Sequence, residues 1–273
     1  MKHFYKIIFT ALIAVTLLHV SCKKSDNVAP TKELNTADIS KRIALNLYRS
    51  LSTGVTATGS NGVKTSGART VVTMDANTCG QVATTLTNTS AVNGDTTTSY
   101  AGRRVFTYKC DGFFHDGVTL DAYNLIDTLT KTQKGAGFNN SYSIALNYNV
   151  KSLEADYSKV SVNGFTSTTE YNSKVSGTAV TSFNKIATGY TWDNITANRT
   201  PNDAEKATFV SGRVQFVTNI TAKEADATTE STVIVYNGTM DFMPGNLVKM
   251  IVNVGTATKT YMINLVTGEL TAI

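Results

Sequence analysis

The residues that could carry chemistry are few. His115 stands between two carboxylates in Cys110-Asp-Gly-Phe-Phe-His-Asp-Gly117. Flanked by Asp111 and Asp116, it has the composition for acid/base work or a metal ligand set. The same residues make a polar loop held by two Asp-Gly turns, and that is the simpler reading. Glu154/Asp156 and Glu224/Asp226 pair carboxylates as glycosidases do, but their polar flanks read as solvated turns. One histidine among scattered serines and aspartates makes no Ser-His-Asp set. No Asp/Asn spacing matches a calcium loop, and the glycines of 54–67 carry no Gly-Lys-Ser/Thr phosphate cradle. The sequence therefore predicts no catalytic residues, no metal and no cofactor. In Thr188-Gly-Tyr-Thr-Trp-Asp193, Tyr190 and Trp192 could stack on a sugar ring, with Asp193 and Asn194 at its hydroxyls. Large aromatics also fill cores, which is where they mostly lie.

Cys22 points to a different chemistry. It follows a basic start with Lys2 and Lys6, the apolar run Ile7 to Leu18, and His19-Val-Ser21. That order reads as an export signal, and the apolar run is too short to span a bilayer as a mature helix. A cysteine at this boundary accepts a diacylglycerol on its thiol, with residues 1–21 removed. The segment resembles a lipobox in which His19 stands at the usual leucine position and Leu18 lies one step further away. Lys23 and Lys24 beside the lipid add a modest attraction to anionic headgroups. The predicted address is the cell envelope, lipid-anchored, at the outer membrane.

Composition narrows the classes. The chain has 25 basic and 20 acidic residues. Loss of Lys2 and Lys6 with the signal leaves too small an excess to predict nucleic-acid binding. It also removes His3 and His19, so His115 is the last histidine and a multi-histidine metal site is excluded within one chain. With Cys22 lipidated, Cys79 and Cys110 are the remaining thiols, and in an oxidising compartment they are expected to pair. The closed loop stabilises the fold by roughly 3–4 kcal/mol on the chain-entropy model.

The positioning elements follow from periodicity. Residues 22–35 are polar and aperiodic, a tether. Ile39, Ile43, Leu47 and Leu51 form one apolar stripe of a short amphipathic helix over about 37–52, capped by Asn35 or Thr36. Gly54 to Gly67 is a glycine-rich linker, so 36–67 is helix plus linker, and 68–273 is the β domain. Threonine supplies 44 of 273 residues, a β-rich usage. Tyr142, Ile144, Leu146, Tyr148 and Val150 alternate with polar residues, the clearest half-buried strand. Val233 to Asn237 is apolar on both faces and reads as a central strand. Further strands are expected near 69–75, 81–87, 103–110, 117–132, 158–168, 174–184, 188–196, 214–218, 248–255, 258–266 and 269–272. Asn93-Gly94, Asn163-Gly164 and Asn237-Gly238 are hairpin signals. Asp111-Gly112, Asp116-Gly117, Pro244-Gly245 and Thr267-Gly268 are turn signals. The repeated strand–Asn-Gly–strand pattern around 162–177 and 236–249 hints at two related halves. Without crossover helices the fold is mainly β and antiparallel: one large curved sheet, a two-sheet sandwich, or a barrel.

Cys22 with Lys23-Lys-Ser-Asp26, the Cys79-Gly80 turn, Val175-Ser-Gly-Thr178, Val210-Ser-Gly212 and the closing Tyr261-Met-Ile-Asn-Leu265 before Thr267-Gly268 resemble a broad set of uncharacterised Bacteroidota lipoproteins. The resemblance implies an architecture and no activity. It also makes Asp127-Thr128-Leu129 similar to the O-glycosylation acceptor of that group. Three functions fit: non-enzymatic binding, display or assembly at the envelope; carriage of an apolar ligand such as a lipid in the concavity of the sheet; and glycan binding at Tyr190 and Trp192.

Overall fold

The computed structural model describes residues 35–55, 78–200, 203–225 and 232–273. Cys22, the tether up to residue 34, most of the glycine-rich linker and the expected strand at 69–75 lie outside the described residues. Residues from Thr36 to Ile273 belong to one compact unit.

A helix, α1 (Thr36–Val55), opens that unit. Its predicted stripe is real: Ile39, Ile43, Leu47 and Leu51 are all buried, joined by Ala44 and the small polar residues Ser40 and Ser50. Eleven strands follow among the described residues: β1 (Val82–Asn93), β2 (Thr96–Lys109), β3 (Ala122–Gly135), β4 (Phe138–Ser152), β5 (Lys159–Ser176), β6 (Ala179–Thr200), β7 (Asp203–Lys223), β8 (Thr232–Met243), β9 (Leu247–Val254), β10 (Ala257–Asn264) and β11 (Leu270–Ala272). They pair in strict chain order, every neighbour antiparallel, in one curved, open sheet that β1 and β11 leave unclosed. Of the three architectures left open by the sequence, the sandwich and the barrel are thereby set aside.

One face of this sheet meets the helix. On it lie Phe106, Tyr123, Leu125, Tyr148, Val162, Tyr190, Trp192, Phe216, Tyr236 and Met250, all buried. Burying each such side chain contributes roughly 1.5–3 kcal/mol. Phe106 stacks on Tyr123 with ring centres 4.8 Å apart, and Trp192 meets Tyr148 edge-on at 5.1 Å. Two tyrosine tips are satisfied at the helix, whereas Trp192 Nε1 is buried without a hydrogen-bond partner. The Tyr190 hydroxyl donates to the Ile43 carbonyl at 3.0 Å, and Tyr148 donates to Ser50 Oγ at 3.1 Å, which itself donates to the Leu47 carbonyl at 2.9 Å. The outer face is open to solvent: Val233 and Val235 of β8 are 61% and 42% exposed. That strand is central in pairing, as its sequence predicts, yet it is covered on one side only.

Two expected hairpins are not turns. Asn163-Gly164 and Asn237-Gly238 lie inside β5 and β8. Gly164 has φ +154 at a register shift between Val162 and Gly164, and a Cβ there would come 2.1 Å from the Asn147 carbonyl oxygen. A Cβ on Gly238 would come within 1.9 Å of the Ile251 carbonyl oxygen. What turns and tight strand contacts share is a residue without a Cβ. The related-halves pattern thus rests on two mid-strand glycines rather than on two hairpins. Next to Gly164, β6 shifts register between Asp193 and Thr196, and Gly212 of β7 has φ +123. Irregularities side by side on three strands bend them together, as bulges do. The predicted strand 174–184 is split by a tight turn at Gly177, φ +59, between β5 and β6. A tight hairpin does form at Asn93-Gly94, but its two-residue loop is Gly94-Asp95, with Gly94 at φ 56 and Asn93 in the strand opposite Thr96. Cys79 and Cys110 are joined, Cα atoms 5.7 Å apart, tying the approach to β1 to the end of β2.

Candidate functional site

The loop between β2 and β3 holds the one histidine weighed for chemistry. Its carboxylates are occupied in shaping the loop. Asp121, buried and unremarked in the sequence, accepts from the Gly112 and Phe114 amides at 2.8 Å each. Asp116 accepts from the Val118 and Thr119 amides at 2.9 and 2.7 Å and from the Thr119 hydroxyl. The Thr119 hydroxyl is the main reason its carboxyl sits below the usual range. Asp111 pairs with Lys151 Nζ at 2.7 Å. His115 is exposed with φ 51, a conformation that belongs to the turn. Among the described residues no three His, Cys, Asp or Glu side chains are grouped to hold a metal. Glu154 and Asp156 cap a turn, accepting from the Ser158 hydroxyl at 2.8 Å and the Ser158 amide at 3.0 Å. Asp226 of the other acidic pair lies outside the described residues.

The aromatic pair proposed for sugar stacking is in the core. Tyr190 is 1% and Trp192 4% exposed, both on the helix-facing side of β6. A ring that stacks on a ligand must present a face, and these present theirs to Tyr148 and α1. Asp193 and Asn194 are exposed at the bulge, where Asn194 has φ 57 and its amide donates to Asn163 Oδ1 at 2.7 Å. The structure therefore separates the four residues into a buried pair and a surface pair.

The arrangement that can receive a ligand lies elsewhere on the inner face, a cleft of about 550 Å³ between the second half of α1 and strands β2 to β5. That is within the range of small-molecule sites. Its floor is apolar, from Leu129, Ile144 and Leu146; its walls carry Arg49, Arg104, Asp127, Lys131, Gln133, Asn140, Tyr142, Glu170 and Asn172. Arg104 donates to Asp127 through Nε and Nη2 at 2.8 and 2.5 Å. Across the helix, Arg42 donates to Glu170 at 2.7 Å, and Asn172 donates to the other oxygen of Glu170 at 2.9 Å. Three cationic side chains of the lining, Arg49, Arg104 and Lys131, thus stand against two carboxylates, Asp127 and Glu170, so the rim carries a small positive excess. Lys131 Nζ also lies 5.8 Å from the centre of the Tyr100 ring. Partial burial raises the Tyr142 phenol above its ordinary range, a rise that Arg49 opposes and Glu170 reinforces.

None of the residues expected from sequence to bind a ligand lines this cleft. A signal for it exists in β3, whose inward residues run Leu125, Asp127, Leu129, Lys131, Gln133. An inward stripe that acquires charge partway along has left the core and lines a wet surface. Asp127 points into the cleft, while Thr128, the residue of the glycosylation-like triplet, is exposed on the opposite face with its hydroxyl 3.3 Å from the Arg103 carbonyl oxygen. No family model, no curated protein and no solved structure matches the chain.

Proposed function

We propose that the chain is a lipid-anchored, non-enzymatic binding protein of the cell envelope, held at the outer membrane through Cys22. Its inner-face cleft takes a single-chain amphiphile with an anionic head. This joins the binding role expected from the sequence to the lipid-carrier alternative, and moves the ligand from the middle of the concavity, which α1 fills, to its margin. The observation that carries the reading is the pairing of an apolar floor with a positive rim in one cleft. Apolar surface supplies affinity by area removed from water, and cations beside it select a carboxylate or phosphate head.

The experiment is calorimetric titration of the acylated protein with a long-chain fatty acid, a lysophosphatidic acid and a neutral alkyl maltoside. Mass spectrometry of the same preparation must find the diacylglycerol on the Cys22 peptide. Anionic amphiphiles should bind, the neutral one at least about tenfold more weakly, a gap of about 1.4 kcal/mol. Lys131→Glu should close that gap. Binding of neutral oligosaccharides with no response to amphiphiles would transfer the cleft to the glycan reading. An unmodified Cys22 would remove the anchor.

A further inference from the structure

The two edges of the sheet are unlike. β11 has three residues and exposes little backbone. β1 has twelve, Val-Ala-Thr-Thr-Leu-Thr-Asn-Thr-Ser-Ala-Val-Asn, and among the described residues it pairs with β2 alone. Proteins blunt such an edge with charge, proline or brevity. β1 uses none of these. All strands from β2 to β10 carry at least one charged residue, whereas β1 carries none. Its side chains are almost all exposed, Leu86 and Val92 both at 73%.

The hydrogen-bonding sense of the free edge follows from the hairpin. A two-residue loop with Asn93 opposite Thr96, and the Tyr108 amide bonded to the Gln81 carbonyl at 2.9 Å, place the odd-numbered residues in the bonded pairs with β2. The N–H and C=O groups of the even-numbered residues, Val82 to Val92, therefore point away from the sheet. The strand also reads nearly the same in both directions from Thr87: Leu86 and Asn88, Thr85 and Thr89, Thr84 and Ser90, Ala83 and Ala91, Val82 and Val92.

We propose that β1 pairs antiparallel with β1 of a second copy of this chain, about a two-fold axis through Thr87. In that register even residues meet even residues, so the outward N–H and C=O groups fall opposite one another and form about twelve inter-chain hydrogen bonds. Valine meets valine at both ends, alanine meets alanine, and hydroxyl residues meet hydroxyl residues. No like charges face across the axis. A copy of the same strand is the occupant that this symmetry fits, since an isologous interface requires one surface to complement itself. The reading is independent of what the cleft binds.

Thr87 is the residue that tests it, because it faces its own copy in a non-hydrogen-bonded pair with Cα atoms about 4.5 Å apart. It is exposed, so Thr87→Lys and Thr87→Asp leave the single chain's packing intact. Sedimentation of the full lipidated protein in detergent micelles should show a dimer. Either variant alone should raise the dissociation constant at least tenfold through like charges at the axis. An equimolar mixture of the two variants should restore a dimer containing one copy of each. A monomer at all concentrations up to about 100 µM, or a dimer indifferent to both substitutions, would overturn the proposal. So would concentration-independent hydrogen-exchange protection of the even-numbered β1 amides, which would mean that the protein's own chain already covers the edge.

Discussion

Alkaline pH should unfold this protein through its tyrosines. Tyr123, Tyr148 and Tyr190 are buried on the inner face. Burial pushes the Tyr123 phenol up to about 12, against a small opposing pull from Arg199, and drives Tyr148 and Tyr190 well above the ordinary value of 10. Each phenol is held neutral in the fold and ionises freely once the chain is unfolded. The stability it contributes is complete below pH 10 and declines as pH rises from there towards the folded value. At pH 11 an unfolded phenol gains about 1.4 kcal/mol by ionising, so three together remove about 4 kcal/mol. Against a typical total of roughly 5–15 kcal/mol, that is a large fraction. Urea melts followed by circular dichroism from pH 8 to 11.5 should show the midpoint flat to about pH 9.5 and falling steeply beyond it. Absorbance at about 295 nm should show buried tyrosinates appearing only with the loss of structure. Tyr148→Phe or Tyr190→Phe should each remove about a third of the slope, at a cost near neutral pH of about 1 kcal/mol for the lost hydrogen bond. If Tyr123, Tyr148 and Tyr190 titrate near pH 10 with the exposed tyrosines while the fold persists, the inner face is not a dry core.

Trp192→Ala should lower stability by about 3–5 kcal/mol in urea, because it empties a buried ring site against Tyr148; unchanged stability would return Trp192 to the surface and reopen glycan stacking there. Reducing the Cys79–Cys110 bond should cost roughly 3–4 kcal/mol without abolishing the fold, since most of the core lies beyond Cys110. Complete loss of structure on adding reductant would show that the β1–β2 end nucleates the rest.

What the sequence made legible was whatever rests on local periodicity. The helix stripe, the alternation in β4 and the Asn93-Gly94 hairpin each follow from a rule that acts within a few residues. The compartment argument for the disulfide needed no geometry at all. What stayed hidden depends on neighbours distant in the chain. Asn-Gly at 163–164 and 237–238 carries the same local signal as at 93–94. Only the partner strands decide that Asn147 and Ile251 approach these glycines too closely for a Cβ. Tyr190 and Trp192 look alike as binding or packing residues until Ile43 and Tyr148 are placed against them. The cleft was hidden for the same reason, since its walls draw on α1, β2, β3, β4 and β5.

The architecture itself bears on where binding can occur. Among the described residues, α1 is the helix that packs on the inner face, and it lies over part of that face. Beneath Ile39, Ile43, Leu47 and Leu51 the inner face is apolar and closed. Away from that stripe the inward residues turn polar: Leu125 gives way to Asp127 and Lys131 along β3, and Tyr148 to Tyr142 and Asn140 along β4. The cleft lies at that change, where apolar floor and charged wall meet. If the cleft takes the proposed ligand, occupancy should stabilise the docking of the second half of α1, where Asn46, Arg49 and Ser50 form one side of the site.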